Sequence, residues 1–282
     1  MPVNTFRKAL DSLVSMLPFS SPDPEQIAGQ VALITGAGNG LGRQISIKLA
    51  KLNCKLVLWD LDERANEETK AICESLGAEV YAYRVDVSDR KEIYSVAERV
   101  MADVGAVRIL VNNAGILRAV GSFLSKADED IEATVRVNMM AHMWMAKAFL
   151  PTMIERDAGH IVCVSSMSGI VGLKFIVEYS SSKFGALGFQ EALETETHFL
   201  NGKNIHFTTI CPIYIRTGML KGVTLPPSTI TLSPDDVAEE IVHAILVKKR
   251  IVMLPRKAYL VYAAKGLLPH GVFQRLMLYV QR

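Results

Sequence analysis

Along the chain, short runs of β-branched and other apolar residues alternate with longer stretches in which apolar positions recur at helical spacing. The strand-like runs are Val31–Thr35, Lys55–Trp59, Val80–Val85, Arg108–Val111, His160–Val164, Ile205–Ile210 and Ile251–Leu254. Helical patterns fill the intervals, over Leu41–Leu52, Glu63–Leu76, Arg90–Val104, Asp128–Glu155, Tyr179–Leu200 and Pro234–Val247. Near-continuous apolar strands separated by helices predict a parallel sheet covered on both faces. Seven such strands predict one α/β domain, a doubly wound Rossmann architecture whose ligands bind beyond the strand carboxyl ends. Residues 213–232 form a long excursion between strand and helix, and such a loop is uncommon unless it covers a site.

The pattern divides the chain into an amphipathic N-terminal segment and linker (1–28), the sheet domain (29–255) and an apolar, basic tail (256–282). Phe6, Leu10, Leu13, Val14 and Leu17 make one apolar stripe ahead of a Pro/Ser-rich linker, Pro18 to Pro24. Arg7, Lys8, Asp11 and Ser12 interrupt that stripe, so it does not read as a signal peptide. In the tail, Ala258–Leu268 and Val272–Val280 are apolar around Lys265, Pro269 and Arg275. From Ile241 to the C-terminus there are eight Lys/Arg and no Asp or Glu, although the net charge of the chain is only +2. Neither end reaches the roughly 18–20 apolar residues that span a bilayer. Each is expected to lie in a membrane interface with its apolar face down; packing on the protein, or a dimer contact, is the competing arrangement.

The 282 residues are half hydrophobic and 21% charged, which suits one large domain. Cys54, Cys73, Cys163 and Cys211 are widely spaced and are expected to be reduced, which fits a cytosol-facing compartment. The six histidines show no metal-ligand spacing, so no metal is expected. Basic residues are not interleaved with aromatics, so no nucleic-acid partner is expected either.

The first strand runs into Thr35-Gly36-Ala37-Gly38-Asn39-Gly40-Leu41-Gly42. Gly36 permits a tight turn, Gly40 lets backbone approach a pyrophosphate, and Gly42 lets the helix pack close, with the phosphates at its N-terminus. The cofactor-facing positions of this run are Gly36, Asn39, Gly40, Leu41 and Gly42. Asp60, at the end of the second strand, lies eighteen residues beyond Gly42. A carboxylate there accepts from the adenosine ribose hydroxyls and repels a 2′-phosphate, which favours NAD over NADP. Helix N-capping is the other use for Asp60 or Asp62, and Arg64 is the cation expected nearby. Tyr179 and Lys183 are one helical turn apart. An ammonium beside a phenol favours the phenolate, and this suits acid/base work. Ser166, thirteen residues before Tyr179, ends a strand where its hydroxyl can meet a substrate oxygen.

Taken together, the glycine run, Asn112-Asn113-Ala114-Gly115, Asn138, Ser166 and the Tyr179/Lys183 pair resemble the short-chain dehydrogenase/reductase family over roughly residues 29–255. The resemblance implies that Tyr179 is the acid/base, that Ser166 orients the carbonyl, and that Lys183 also holds the nicotinamide ribose, which brings Tyr179 and Lys183 against the cofactor. It implies that Asn138 supports a water in a proton relay, that Asp86 and Val87 meet the adenine, and that Asn113, Ala114 and Gly115 flank the cofactor. The segment from Pro212 through Ile215 to Thr217 resembles the one that clasps the nicotinamide carboxamide. Leu56-Val57-Leu58-Trp59-Asp60, Ala148-Phe149-Leu150-Pro151, Ser181-Ser182-Lys183-Phe184-Gly185 and Thr217-Gly218-Met219 resemble the branch of microsomal retinol dehydrogenases and lipid-droplet 17β-hydroxysteroid dehydrogenases. That branch implies a lipophilic alcohol (retinol first, steroid second) and a cytosol-facing site on endoplasmic reticulum or lipid droplet, with NAD expected from Asp60. Ile213, Tyr214, Ile215, Met219, Leu220, Val223 and Leu225 are expected to form an apolar lid over the substrate. A homodimer is the expected assembly. Two other readings compete: an NADPH-dependent ketoacyl reductase, against which Asp60 speaks, and a lipid-surface scaffold that binds NAD without turnover.

Overall fold

The computed structural model describes residues 27–118, 120–200, 202–223 and 229–281. The N-terminal stripe from Phe6 to Leu17, and Leu225 of the expected lid, lie outside these residues. The seven strands are β1 (Val31–Thr35), β2 (Lys55–Asp60), β3 (Val80–Arg84), β4 (Ile109–Asn112), β5 (Gly159–Val164), β6 (Ile205–Pro212) and β7 (Ile251–Leu254). They form one sheet in the order β3-β2-β1-β4-β5-β6-β7, and every neighbouring pair is parallel. The chain reverses direction across the sheet between β1 and β4, and a doubly wound sheet opens its ligand crevice at that point.

Successive strand residues point to opposite faces, and here both faces are buried. Leu33, Val57 and Leu110 pack into one layer while Ile34, Leu58 and Val111 pack into the other, so the strands are mostly apolar, with His160, Thr208 and Thr209 among the buried polar exceptions. Helices α1 (Gly40–Lys51) and α7 (Pro234–Leu246) cover the second face through Ile45, Leu49, Ile241 and Ile245. Helices α3 (Arg90–Asp103) and α5 (Ala141–Glu155) cover the first through Ile93, Val100, Met145 and Phe149. Trp59 meets Phe149 edge-on with ring centroids 5.8 Å apart. Such a contact adds about 0.5–1.5 kcal/mol to the burial itself. The remaining domain helices are α2 (Glu63–Ser75), α4 (Asp128–Val135) and α6 (Val177–Phe199). All four cysteines are free and buried.

The single helix expected over 128–155 is interrupted. Between α4 and α5, Arg136–Met140 form a turn of π-helix with Asn138 fully buried. A π-turn inserts an extra residue into the helical ladder and is frequent at functional sites. Apolar periodicity runs on through it, so the hydrophobic pattern does not reveal the interruption.

After β7 the tail forms α8 (Ala258–Leu267) and α9 (His270–Val280). Ala258 and Phe273 are buried against Ile170, Val171, Cys211 and Met253. Lys265 Nζ donates to the Ile170 carbonyl at 2.6 Å, and Gln281 Nε2 donates to that of Gly172 at 3.2 Å. One side of the tail is thus docked on the domain. Its other side presents Leu260, Leu267, Val272, Leu276, Leu278, Tyr279 and Val280 to solvent. No described helix is long and apolar enough to cross a membrane.

Candidate active site

At the carboxyl ends of β1 and β4 the glycine run turns into α1. Gly36 and Gly40 have φ of +66° and +52°, the left-handed region that glycine enters without strain. A Cβ on Gly42 would lie 2.0 Å from the Gly36 carbonyl oxygen, so only glycine lets the first turn of α1 lie this close to the loop. A Cβ on Gly40 would meet Thr217 Cγ2 at 3.1 Å, which puts the segment after β6 directly over the phosphate end. Asn113 braces the loop from the side. Its Nδ2 donates to the carbonyls of Thr35 (2.9 Å) and Gly36 (3.2 Å), and Thr35 Oγ1 accepts from the N–H groups of Asn113 and Ala114, both at 3.0 Å.

Asp60 and Asp62 divide the two roles open to them. Asp62 caps α2 by accepting from the Ala65 N–H at 3.0 Å. Asp60 stays at the strand end, where Oδ2 accepts from the Gly38 N–H at 2.7 Å and Oδ1 from the Asp62 N–H at 2.9 Å. Its charge is therefore held at the mouth of the glycine loop. The expected nearby cation is corrected. The Arg64 side chain is 91% exposed and pairs with Glu68, whereas Arg43, next after Gly42, lies against the loop. Arg43 donates to the Gly38 carbonyl (2.6 and 2.9 Å), the Ala65 carbonyl (3.2 Å), Thr69 Oγ1 (3.0 Å) and Glu68 (3.2 Å). That guanidinium is already committed to the protein.

All the candidate residues except Asn138 line one cleft of about 920 Å³: Gly36, Asn39, Gly40, Leu41, Gly42, Asp60, Asp86, Val87, Asn113, Ala114, Gly115, Ser166, Tyr179, Lys183, Pro212, Ile215 and Thr217. Asn138 sits behind the wall. Its Oδ1 accepts from the Ile116 N–H (2.8 Å), and its Nδ2 donates to the Ile116 carbonyl (2.9 Å) and to Ser182 Oγ (3.1 Å). It thus clamps the chain leaving β4 to α6. The glycine cradle, the ribose-height carboxylate and the covering Thr217 fit an extended dinucleotide, with its adenosine end at Asp60 and its nicotinamide end at Tyr179.

Ser166 follows β5, and its hydroxyl lies 3.4 Å from the Pro212 carbonyl, to which it donates. Lys183 Nζ donates to the Val164 carbonyl at 2.9 Å and lies 5.7 Å from the centroid of the Tyr179 ring. In the free cleft the Lys183 ammonium does not offset the burial of the Tyr179 phenol. Burial pushes the Tyr179 phenol up to about 12, and the Ser166 hydrogen bond opposes this only in part. Burial also pulls the Lys183 ammonium down to about 8. Desolvation outweighs the neighbouring charge here. His142, one turn beyond Asn138, was read from the sequence as an ordinary core or surface residue. It is buried and held neutral, pulled down to about 3 by desolvation and then by Lys183.

Of the expected lid residues that are described, all but Val223 line the cleft. Ile213, Tyr214, Ile215, Met219 and Leu220 line the cleft, and the excursion is closed by the Leu232 N–H to the Tyr214 carbonyl (2.8 Å) and the Arg216 N–H to the Leu232 carbonyl (2.9 Å).

One end of the cleft can hold a dinucleotide, and the other sets a hydroxyl, a phenol and an ammonium around a single buried point. Moving a hydride between a nicotinamide and a carbon that carries a hydroxyl or carbonyl oxygen needs that division of labour. The molecule is an oxidoreductase acting on alcohols and ketones with a nicotinamide cofactor. A family model for short chain dehydrogenases matches residues 30–226. The chain is 41% identical to mouse estradiol 17-beta-dehydrogenase 11 over 95% of its length and 89% of the relative's. It is 42% identical to human epidermal retinol dehydrogenase 2, covering 93% and 86% of the two chains. Among solved structures it resembles a Burkholderia phymatum short-chain dehydrogenase/reductase in complex with NAD (TM-score 0.77, 27% identity, 86% and 95% coverage). It also resembles a metagenomic short-chain oxidoreductase in complex with NADP (TM-score 0.69, 26% identity, 81% and 96% coverage). The chain belongs to the short-chain dehydrogenase family, within the branch of retinol and 17β-hydroxysteroid dehydrogenases.

Proposed function

We propose that the protein is NAD-dependent and oxidises a lipophilic alcohol, retinol before a steroid 17β-hydroxyl, at a membrane or lipid-droplet surface that faces the cytosol. The Asp60 carboxylate at the adenosine end carries the NAD reading, because it would repel a 2′-phosphate and the nearest guanidinium, Arg43, is already spoken for. The substrate reading is supported by the apolar wall of Leu117, Leu173, Ile176, Ile213 and Met219, and by the names of the two relatives.

In the oxidation direction, the Ser166 hydroxyl donates to the substrate oxygen and holds it while Tyr179 removes the hydroxyl proton. NAD supplies the hydride acceptor and, when bound, a positive charge in the cleft. That charge assists an ionisation which Lys183 alone does not drive. Lys183 fixes the nicotinamide ribose from its bond to the Val164 carbonyl, and Asn138 keeps α6 in register with the chain leaving β4. Reduction is the reverse.

The surface reading is supported by what surrounds the mouth. The Gly121 N–H bonds the Phe175 carbonyl (2.9 Å), and the Lys174 N–H bonds Gln281 Oε1 (3.1 Å), which sets three segments side by side. From them Val120, Phe123, Leu124, Phe175, Val177, Tyr279 and Val280 stand exposed. Leu173 and Ile176, from the middle segment, face into the cleft. An apolar rim with Lys174 and Arg275 among it suits an anionic lipid surface, and a lipid alcohol could enter without crossing water. Assembly as a homodimer belongs to the same proposal and is measured by light scattering. Turnover of a panel of lipid alcohols with NAD and NADP tests the activity. Flotation with anionic liposomes tests the surface, comparing the full chain with versions lacking residues 1–20 or 258–282. A full-length chain that stays at the bottom of the gradient would refute the surface reading.

A further inference from the structure

Next to Tyr179 the molecule buries a second ionic arrangement that the chemistry above does not use. Lys126 Nζ lies 2.5 Å from Glu178 Oε1, with 3% and 1% of the two side chains exposed. Glu178 is in the first turn of α6, immediately before Tyr179. Lys126 ends the short turn Phe123–Ser125 in the segment that leaves β4, whose earlier residues Ile116, Leu117 and Arg118 line the cleft. The bond from the Gly121 N–H to the Phe175 carbonyl (2.9 Å) ties the same two parts of the chain a little further out.

A buried ion pair is a weak source of net stability, because desolvation of both ions offsets their attraction. Removing one partner, however, strands the other charge. Glu178 Oε2 has no partner among the described residues, so the Lys126 contact is the one that compensates this carboxylate there. Such a pair tolerates little displacement of the two segments it joins. The cofactor end is braced separately by Asn113 and Asp60, and the inner end of the β4 segment is clamped by Asn138 to Ile116. Release of the pair therefore loosens the stretch around Lys126, which the Gly121–Phe175 bond still ties further out, and leaves the cradle intact.

We propose that Lys126 and Glu178 are a positioning pair. They hold the outer wall of the alcohol site at a fixed distance from the Tyr179 hydroxyl, so that a long lipophilic alcohol is seated with its carbinol between Ser166 and Tyr179. The substrate half of this inference rests on the lipid-alcohol reading above; the ordering of the wall does not.

The test uses the full chain carrying Lys126→Met, Glu178→Gln, Lys126→Arg, or the double change Lys126→Met with Glu178→Leu, which leaves no buried charge behind. Hydrogen–deuterium exchange should quicken in peptides spanning 117–126 and 172–177 in every variant but Lys126→Arg, with 108–116 unchanged. KM for retinol should rise about tenfold or more, since a misplacement near 1 Å can cost up to a hundredfold. KM for cyclohexanol, and NADH affinity read by fluorescence, should keep their wild-type values. Lys126→Arg should restore the retinol KM. The proposal is overturned if the double variant keeps both wild-type exchange and wild-type retinol KM. Loss of retinol and cyclohexanol turnover by one common factor, with exchange raised throughout the chain, would reduce the pair to a fold contact and overturn it too. If the single variants do not fold, the double variant decides. If wild type turns over neither alcohol, the substrate reading fails, and the exchange pattern alone decides whether the pair orders the wall.

Discussion

Asp60 organises the glycine loop and, on the NAD reading proposed above, also excludes a 2′-phosphate; one substitution separates these roles. Asp60→Asn keeps an oxygen that can accept from the Gly38 N–H, now 2.7 Å away, and removes only the charge. A unit charge about 4 Å from another interacts by about 4 kcal/mol at the effective dielectric of a protein surface. At about 1.4 kcal/mol per decade, that amounts to roughly three decades of preference for NAD over NADP. The asparagine should therefore shrink the NAD/NADP ratio of kcat/KM by about two to three decades, mainly through better use of NADP, with kcat on NAD little changed. Salt offers an internal check, because the wild-type penalty against NADP is partly screened and should ease as ionic strength rises. Steady-state kinetics with both cofactors on one alcohol is the assay. Equal use of both by the wild type, or an unchanged ratio in Asp60→Asn, would refute the electrostatic reading. Loss of NAD activity in Asp60→Asn without any NADP gain would mean that the charge supports the loop more than it selects the cofactor.

Tyr179→Phe removes one oxygen from a buried ring and should cut turnover by about 10²–10⁴-fold, while NADH binding, read by fluorescence, persists. Gly42→Ala drives a methyl to 2.0 Å from the Gly36 carbonyl oxygen, so cofactor affinity and melting temperature should fall together, visible in a titration and a thermal melt. Cys54, Cys163 and Cys211 are pushed up to about 12 and Cys73 to about 11 by burial, so their stabilising neutrality is complete below about 9 and is lost as pH rises through the folded values; melting temperature should drop across that window. Lys183, lowered to about 8, works in the opposite sense: the unfolded chain holds its proton up to about 10.5, so the stability of wild type relative to Lys183→Met should grow between those values in paired melts.

The strands could be read from the sequence because a sheet buried on both faces is mostly apolar along each strand, and the runs stand out without any alternation to decode, His160, Thr208 and Thr209 being buried exceptions. Strand ends moved by only one or two residues, as at β6, which continues through Pro212. The glycine run was readable for the same kind of reason, since backbone geometry at Gly36, Gly40 and Gly42 is a local property. What escaped depends on contacts distant in the chain. The π-turn around Asn138 exists to reach Ile116, 22 residues away, and nothing in its own periodicity announces that. Lys126 and Glu178 are separated by 52 residues, and each alone reads as a solvated charge. Nothing in the local sequence places Arg43 against the Gly38 carbonyl; only the fold brings them together. Tyr179 and Lys183 were placed correctly one turn apart, yet the sign of the phenol shift was misjudged. Helical spacing reports proximity and says nothing about how dry the site is.

Dryness changes how the chemistry must be understood. In water an ammonium one turn away would help a phenol ionise a little; in this cleft both groups are driven toward their neutral forms, about 12 for the phenol and about 8 for the ammonium. A free enzyme poised as phenolate and ammonium would have to sustain two desolvated charges with only the Val164 carbonyl and the Ser166 hydroxyl as partners. In the free cleft, burial therefore favours the protonated phenol of Tyr179. On the proposed mechanism, a cation at the nicotinamide end and a hydroxyl between Ser166 and Tyr179 would favour proton removal. On that mechanism the same burial that raises the phenol would tie its ionisation to a filled cleft, because the low dielectric strengthens every charge–charge contact there.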